Sequence, residues 1–276
     1  MKLRVVSFNC LFGGYSGHGF GAPERWDALM RFLRSLDADI VALQECNGWD
    51  VLGKQRLHRA VRDCRLAGGV LAEANVTTAG HRFHTAILHS SRVNIAADGA
   101  NRQKYHHVLG WVDLYVPGLE KVLEIRNVHL DPFDAAGRIH EVEPLKIHGA
   151  TGRLSVVLGD FNTVPPAAPQ PPWDTLPPHA QLHHREVADP THMAGTAAEV
   201  LVSAGMVDLA ALKGQARTPT GGFDSCDVAR RQDLILLSQD LAPLATAYHV
   251  YMEPITDEFS DHAAVGAVLD LAPLLS

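Results

Sequence analysis

Apolar residues in this chain gather into short runs that repeatedly stop at a polar or charged residue. Residues 3–8 read as a buried strand delivering Asn9 to its end, with a glycine-rich loop over 13–19 behind it. Trp26, Leu29, Met30, Leu33 and Leu36 recur at helical spacing after Pro23 and predict a helix over 23–36. Residues 39–45 form a second strand that ends on Glu45 before the Asn47-Gly48 turn, and Leu57, Val61 and Cys64 mark a helix over 52–66. Strands follow over 84–89, 108–116 and 122–130, the last carrying His129 to its terminus. Residues 135–148 predict a helix broken at Pro144.

The β-branched and aliphatic run 155–158 is closed by Gly159 and followed by Asp160-Phe161-Asn162. In extended backbone Asp160 and Asn162 project to one face and Phe161 to the other. Residues 163–178 are so rich in proline that an extended loop without a core of its own is expected, a lid or rim rather than a linker. A helix interrupted at Gly205 is expected over 194–211, then a polar loop over 216–227. A strand over 231–237 opens with Asp233, and two more over 245–252 and 263–269 bracket Phe259-Ser260-Asp261-His262. No repeat of solenoid period is visible.

Composition narrows the class. Of 276 residues, 46% are hydrophobic and 20% charged, which excludes global disorder and allows a large core. A formal charge of -7 argues against a broad nucleic-acid footprint, although a local basic channel is compatible with it. Cys10, Cys46, Cys64 and Cys226 form no CxxC pair, so reduced core thiols are expected rather than a zinc ribbon or disulfide framework. The N-terminus runs straight into a strand pattern, and no apolar run reaches membrane-spanning length, which together predict a cytoplasmic protein.

Each polar strand end has an ordinary reading taken singly: Asn9 as a turn former, Glu45 as a solvated terminus, His129 as a core histidine, Asp261 as a cap. Together they are harder to dismiss, because converging carboxylates repel one another unless a cation lies between them. Carboxylates with amide oxygens and no paired thiols suit a hard ion, Mg²⁺ or Mn²⁺. Histidines beside such a site supply donors for charge growing on phosphate oxygens, and a carboxylate orients or deprotonates water. Hydrolysis of a phosphoester is the chemistry these parts serve. His179, His183, His184 and His192 raise a second metal site against a solvated loop, and Lys104 to His107 either reach a phosphate or open a strand.

The ordered segments Ser7-Phe8-Asn9, Leu43-Gln44-Glu45, Asn127-Val128-His129-Leu130, Gly159-Asp160-Phe161-Asn162, Arg231-Gln232-Asp233 and Ser260-Asp261-His262 resemble the motifs of the endonuclease/exonuclease/phosphatase superfamily, spanning residues 3 to about 269. The resemblance implies an α+β fold, a four-layer α/β/β/α sandwich of two mainly antiparallel sheets, here as one domain over 1–276 with an insert at 163–192. It implies Glu45 as principal metal ligand with Asn9 and Asp261 nearby. Asp160 would act on the attacking water, Asn162 would orient the phosphate, and His262, held by Asp233, would contact it. His129 stands where many members carry histidine, which places the chain nearer the phosphodiesterase, DNase-like and sphingomyelinase-like branches. Gln232 departs from the usual aliphatic residue, and no long basic or aromatic DNA-intercalating insert is present. A divalent-metal phosphodiesterase is thus expected. A phosphomonoesterase of small metabolites or nucleotides stays open, as does an inactive protein-binding sandwich. Small-molecule and nucleic-acid substrates are both open.

Overall fold

The computed structural model describes residues 1–15, 23–189, 191–223 and 227–275. Cys226 and the far end of the glycine-rich loop lie outside these described residues. One six-stranded sheet runs in the order β11 (Ala245–Tyr251), β12 (Ala264–Asp270), β1 (Lys2–Asn9), β2 (Ile40–Gln44), β4 (Thr85–His89), β3 (Gly68–Ala72). The other runs β5 (Asn94–Asn101), β6 (Leu109–Tyr115), β7 (Leu123–His129), β8 (Leu154–Asp160), β10 (Asp233–Leu237), β9 (Val207–Asp208). Among the described residues only β1–β2 and β7–β8 pair in parallel, so both sheets are mixed but mainly antiparallel.

Side-chain alternation builds the layers. Leu3 and Val5 of β1 meet Val156 and Leu158 of β8, Ile235 of β10 and Val265 of β12 between the sheets. Val6 and Phe8 point the other way, onto α1 (Pro23–Ser35) and α2 (Val51–Asp63), where Trp26, Leu29, Leu33 and Leu57 cover the first sheet. Val157 and Leu234 likewise face α3 (Ala135–Val142) and α5 (Thr196–Ser203) through Val142, Ala198 and Leu201. Each aliphatic side chain fully buried this way contributes about 1.5–3 kcal/mol. The result is the expected sandwich of two sheets with helices outside. Cys10, Cys46 and Cys64 are buried free thiols, and among the described residues no helix is long and apolar enough to cross a membrane.

Four local expectations are corrected. Strands β3, β5 and β9 were not legible: β5 is a mostly exposed edge strand of sequence NIAADGAN with no apolar alternation, and β9 is two residues long. The helix expected over 194–211 stops at Ser203, after which Gly205 takes φ +101° and the chain forms β9 and a short α6 (Leu209–Leu212). The proline-rich segment does have a core of its own: Val164, Leu176, Ala180 and Met193 pack together around α4 (Pro178–His184). Its base is closed by Val164 N–H donating to the Ala194 carbonyl at 2.8 Å, and Arg138 of α3, fully buried, donates to the His183 carbonyl at 3.4 Å. Finally, Asn162 is not extended. Its φ of +48° puts it in a left-handed turn.

Candidate active site

Topology explains why the polar strand ends meet. β1 and β2 are parallel neighbours, so Asn9 and Glu45 emerge at the same edge of the first sheet. In the second sheet His129 is the register partner of Asp160, and Asp160 that of Asp233. The parallel β7–β8 pair presents its C-terminal ends where antiparallel β10 presents its start. Ser260, Asp261 and His262 precede β12, antiparallel to β1, so they reach the same edge, and the Ser260 hydroxyl donates to the Asn9 carbonyl at 2.8 Å.

Gly159 makes this convergence possible. At φ +139° its Cα lies so close to β7 that a Cβ would stand 1.9 Å from the Val128 carbonyl oxygen. Any larger residue would push β8 away from β7 just before Asp160.

Asp160 is the hub. Its Oδ2 accepts from Asn9 Nδ2 at 3.1 Å and lies 3.6 Å from His129 Nε2 and 3.7 Å from His262 Nε2, while Oδ1 accepts from the Asn162 backbone N–H at 2.9 Å. Asn9 Nδ2 also donates to Glu45 Oε1 at 3.2 Å, and Glu45 Oε2 accepts from the Phe12 N–H at 3.0 Å. Glu45 adopts φ +57° and, like Asn162, turns its side chain into the site from strained backbone. Asn162 Nδ2 donates to the Leu130 carbonyl at 3.0 Å.

His262 Nδ1 faces Asp233, 2.9 Å from Oδ2 and 3.2 Å from Oδ1. Asp233 is in turn fixed by its own N–H, which donates to the Thr220 hydroxyl at 2.9 Å. Burial opposes a charged His262, but Asp233 and Asp160 outweigh it and hold the imidazole protonated well above its ordinary range. Burial would likewise raise Asp160, yet His262 and His129 keep it below the usual carboxylate value. The pair therefore stands as carboxylate and imidazolium, with the Nε2–H side of His262 toward Asp160. Gln232 brings its amide to 3.4 Å from the same Nε2, and its Oε1 is buried without a partner among the described residues. Turning that amide over offers Oε1 to the Nε2–H, an advantage that an aliphatic residue lacks.

Glu45, His129, Asp160, Asn162, Asp261 and His262 all line one cavity of about 470 Å³. Asp261 Oδ1 is buried with no hydrogen-bond partner among the described residues, as a cation ligand would be. Among the described residues, Asp160, Asp233 and His262 offer ligand atoms within 4.8 Å of one another. Asp233 is committed to His262 Nδ1 at 2.9 Å and does not line the cavity, so that trio opens poorly onto an ion. The carboxylate oxygens of Glu45 and Asp261 fit a hard ion better, with Asn9 beside them, its Nδ2 turned to Glu45 and Asp160 and its Oδ1 accepting from the Leu11 N–H at 3.1 Å.

The histidines of the proline-rich segment do not converge. His183 and His184 line the cavity, His192 pairs with Asp189 at 2.8 Å, and the His179 side chain lies outside the described residues. Of residues 104–107 only His107 reaches the cavity, while His106 pairs with Asp131 at 3.4 Å. Sequence reasoning missed Phe12, Phe83, Phe133 and Arg230 on the cavity wall, because loops carry no periodicity to mark them.

The sequence profile of the endonuclease/exonuclease/phosphatase family matches residues 6–262, and the chain belongs to that family. Its members act as hydrolases of phosphate esters, generally with divalent metals. The fold is similar to an endonuclease/exonuclease/phosphatase family protein from Bacteroides thetaiotaomicron (17% identity, 98% and 97% of the two chains, TM-score 0.65). It is similar to an AP endonuclease from Archaeoglobus fulgidus (17%, 97% and 99%, TM-score 0.65) and to a mannosyl-6-phosphatase of Bacteroides thetaiotaomicron (17%, 96% and 98%, TM-score 0.63). No curated protein sequence matches the chain.

Proposed function

We propose that this protein is a Mg²⁺- or Mn²⁺-dependent hydrolase of phosphodiesters. The observation that carries the reading is the meeting of Asn9, Glu45 and His262 at or around Asp160, from strand ends scattered over the whole chain. Glu45, with Asn9 and Asp261, would hold the ion, which when bound neutralises phosphate charge and polarises the ester. Asp160, held ionised, accepts a proton from water as the water oxygen attacks phosphorus in line with the departing ester oxygen. Asn162 orients the phosphate beside it. Protonated His262 donates from Nε2 to a non-bridging oxygen, its ring held by Asp233, and His129 supplies a second imidazole at that edge.

The test is turnover of bis-p-nitrophenyl phosphate beside p-nitrophenyl phosphate, each with Mg²⁺, with Mn²⁺ and with chelator. Metal-dependent cleavage of the diester is expected to dominate. Faster cleavage of the monoester would move the protein to the phosphomonoesterases, and activity on neither, or indifference to chelator, refutes the hydrolase reading.

A further inference from the structure

Resting on that reading of the site, we propose that the substrate is a small phosphate ester that carries a flat ring, not a long nucleic-acid strand. Beyond the phosphate position the cavity is walled by aromatic and imidazole rings from separate segments of the chain. Phe12 lies 5.8 Å from Phe83 and 6.3 Å from His81, and Phe83 lies 5.0 Å from His107 between ring centroids. Phe133 and His183 form a second ring pair on the wall at 5.1 Å, and His106, behind the wall, bridges His107 at 4.6 Å to Phe133 at 5.7 Å. Phe133 is 55% exposed at the rim, an apolar face turned to water.

Two further observations point to a ligand here. His107 is 2% exposed and its Nδ1 has no hydrogen-bond partner among the described residues, although the residue lines the cavity. A polar edge on the ligand's ring would satisfy it. The lining is also poor in fixed positive charge: among the described residues Arg230 is its one arginine or lysine, and its guanidinium is already 2.5 Å from Asp227. A strand of nucleic acid needs a row of such cations along its backbone, whereas one ester phosphate is served by a metal and His262. The cavity volume falls in the range of small-molecule sites. Ring stacking on aromatic side chains then supplies selectivity among esters.

The experiment is calorimetric binding of phenylphosphonate and methylphosphonate to the Mg²⁺-loaded protein. Phenylphosphonate is expected to bind about tenfold more tightly or better. Phe133→Ala, at an exposed position, and Phe83→Leu, which keeps apolar volume, should each cut that ratio at least about threefold, and Phe133→Trp should retain it. A wild-type ratio below about two, a ratio indifferent to both variants, or tighter binding of decathymidylate than of a single thymidine nucleotide overturns the proposal. Because binding is read without turnover, a protein that cleaves no phosphate ester yet keeps the ratio would refute the hydrolase reading alone.

Discussion

Replacing Asn127 by leucine would cut the polar tie that joins the two sheets beneath the site. Asn127 and Gln44 are both fully buried. Asn127 Nδ2 donates to the Leu43 and Ala86 carbonyls, each at 3.0 Å, and its Oδ1 accepts from Gln44 Nε2 at 2.7 Å. Gln44 Nε2 also donates to the Ser7 hydroxyl at 3.2 Å, so three strands of one sheet and β7 of the other share the network. Leucine matches asparagine in shape, which keeps cavity terms small. The cost is polar: one Gln44 N–H loses its better acceptor, about 1–3 kcal/mol, and two carbonyls lose a donor, about 0.5–1.5 kcal/mol each. A total near 3–4 kcal/mol is expected, which in a chain of this length lowers the melting midpoint by about 5–7 °C. Gln44→Met should cost less alone, and the double variant should fall short of the sum by about 1–2 kcal/mol. Because Gln44 adjoins Glu45 and Asn127 lies two residues before His129, turnover measured well below the new midpoint should also drop about tenfold or more. Urea unfolding of the four proteins in the cycle provides the numbers. A cost below about 1 kcal/mol for Asn127→Leu, or additivity within about 0.3 kcal/mol, would refute the reasoning.

Further outcomes follow from the same geometry. Asp160→Asn and His262→Ala should each lose at least about 10³-fold in turnover with midpoints within a few degrees of the parent, checked by steady-state rates beside circular dichroism. Near-normal rates would show that the roles are misassigned. Glu45→Ala should chiefly raise the Mg²⁺ concentration needed for half-maximal activity, read from metal titrations. Glu124 provides an acid-stability prediction far from the chemistry. Burial would raise its carboxyl, but His148 at 2.8 Å, the Ser155 hydroxyl and Arg153 at 2.5 Å bring it from 4.5 down to about 2. A carboxylate depressed in the folded state stabilises fully above its unfolded value near 4.5 and loses that contribution as pH falls toward 2. With Arg153 a third exposed and screened by solvent, the contribution is about 2 kcal/mol. Glu124→Gln should therefore flatten the fall in stability between pH 4.5 and 2 measured by chemical unfolding, and an unchanged slope would count against it.

Much of this arrangement was written locally. Runs such as 3–8, 39–45, 122–130 and 155–158 are apolar over lengths only strands use, and each ends on a residue that an ordinary strand does not require. Periodicity therefore marked both the sandwich layers and the residues at their ends: Asn9, Glu45, His129, Asp160. It did not mark β5 or β9, because edge strands need no apolar alternation, nor the turn that sets Asn162 at positive φ, because that conformation follows from Asp160 accepting its N–H. The proline-rich segment likewise showed its turns but not its core, since Val164 and Met193 are far apart in sequence and meet only when the segment closes.

The amino-acid sequence by itself determined which residues stand at strand ends and which faces are buried, because both follow from side-chain alternation along a few neighbouring residues. Tertiary structure alone decided that Asp160 sits among Asn9, His129 and His262, that Gln44 bonds Asn127 across the sheets, and that rings from separate loops wall one cavity. Those relations depend on strand order and parallel or antiparallel sense, which bring together residues as far apart as 9 and 160, and no local pattern encodes a distance across the fold.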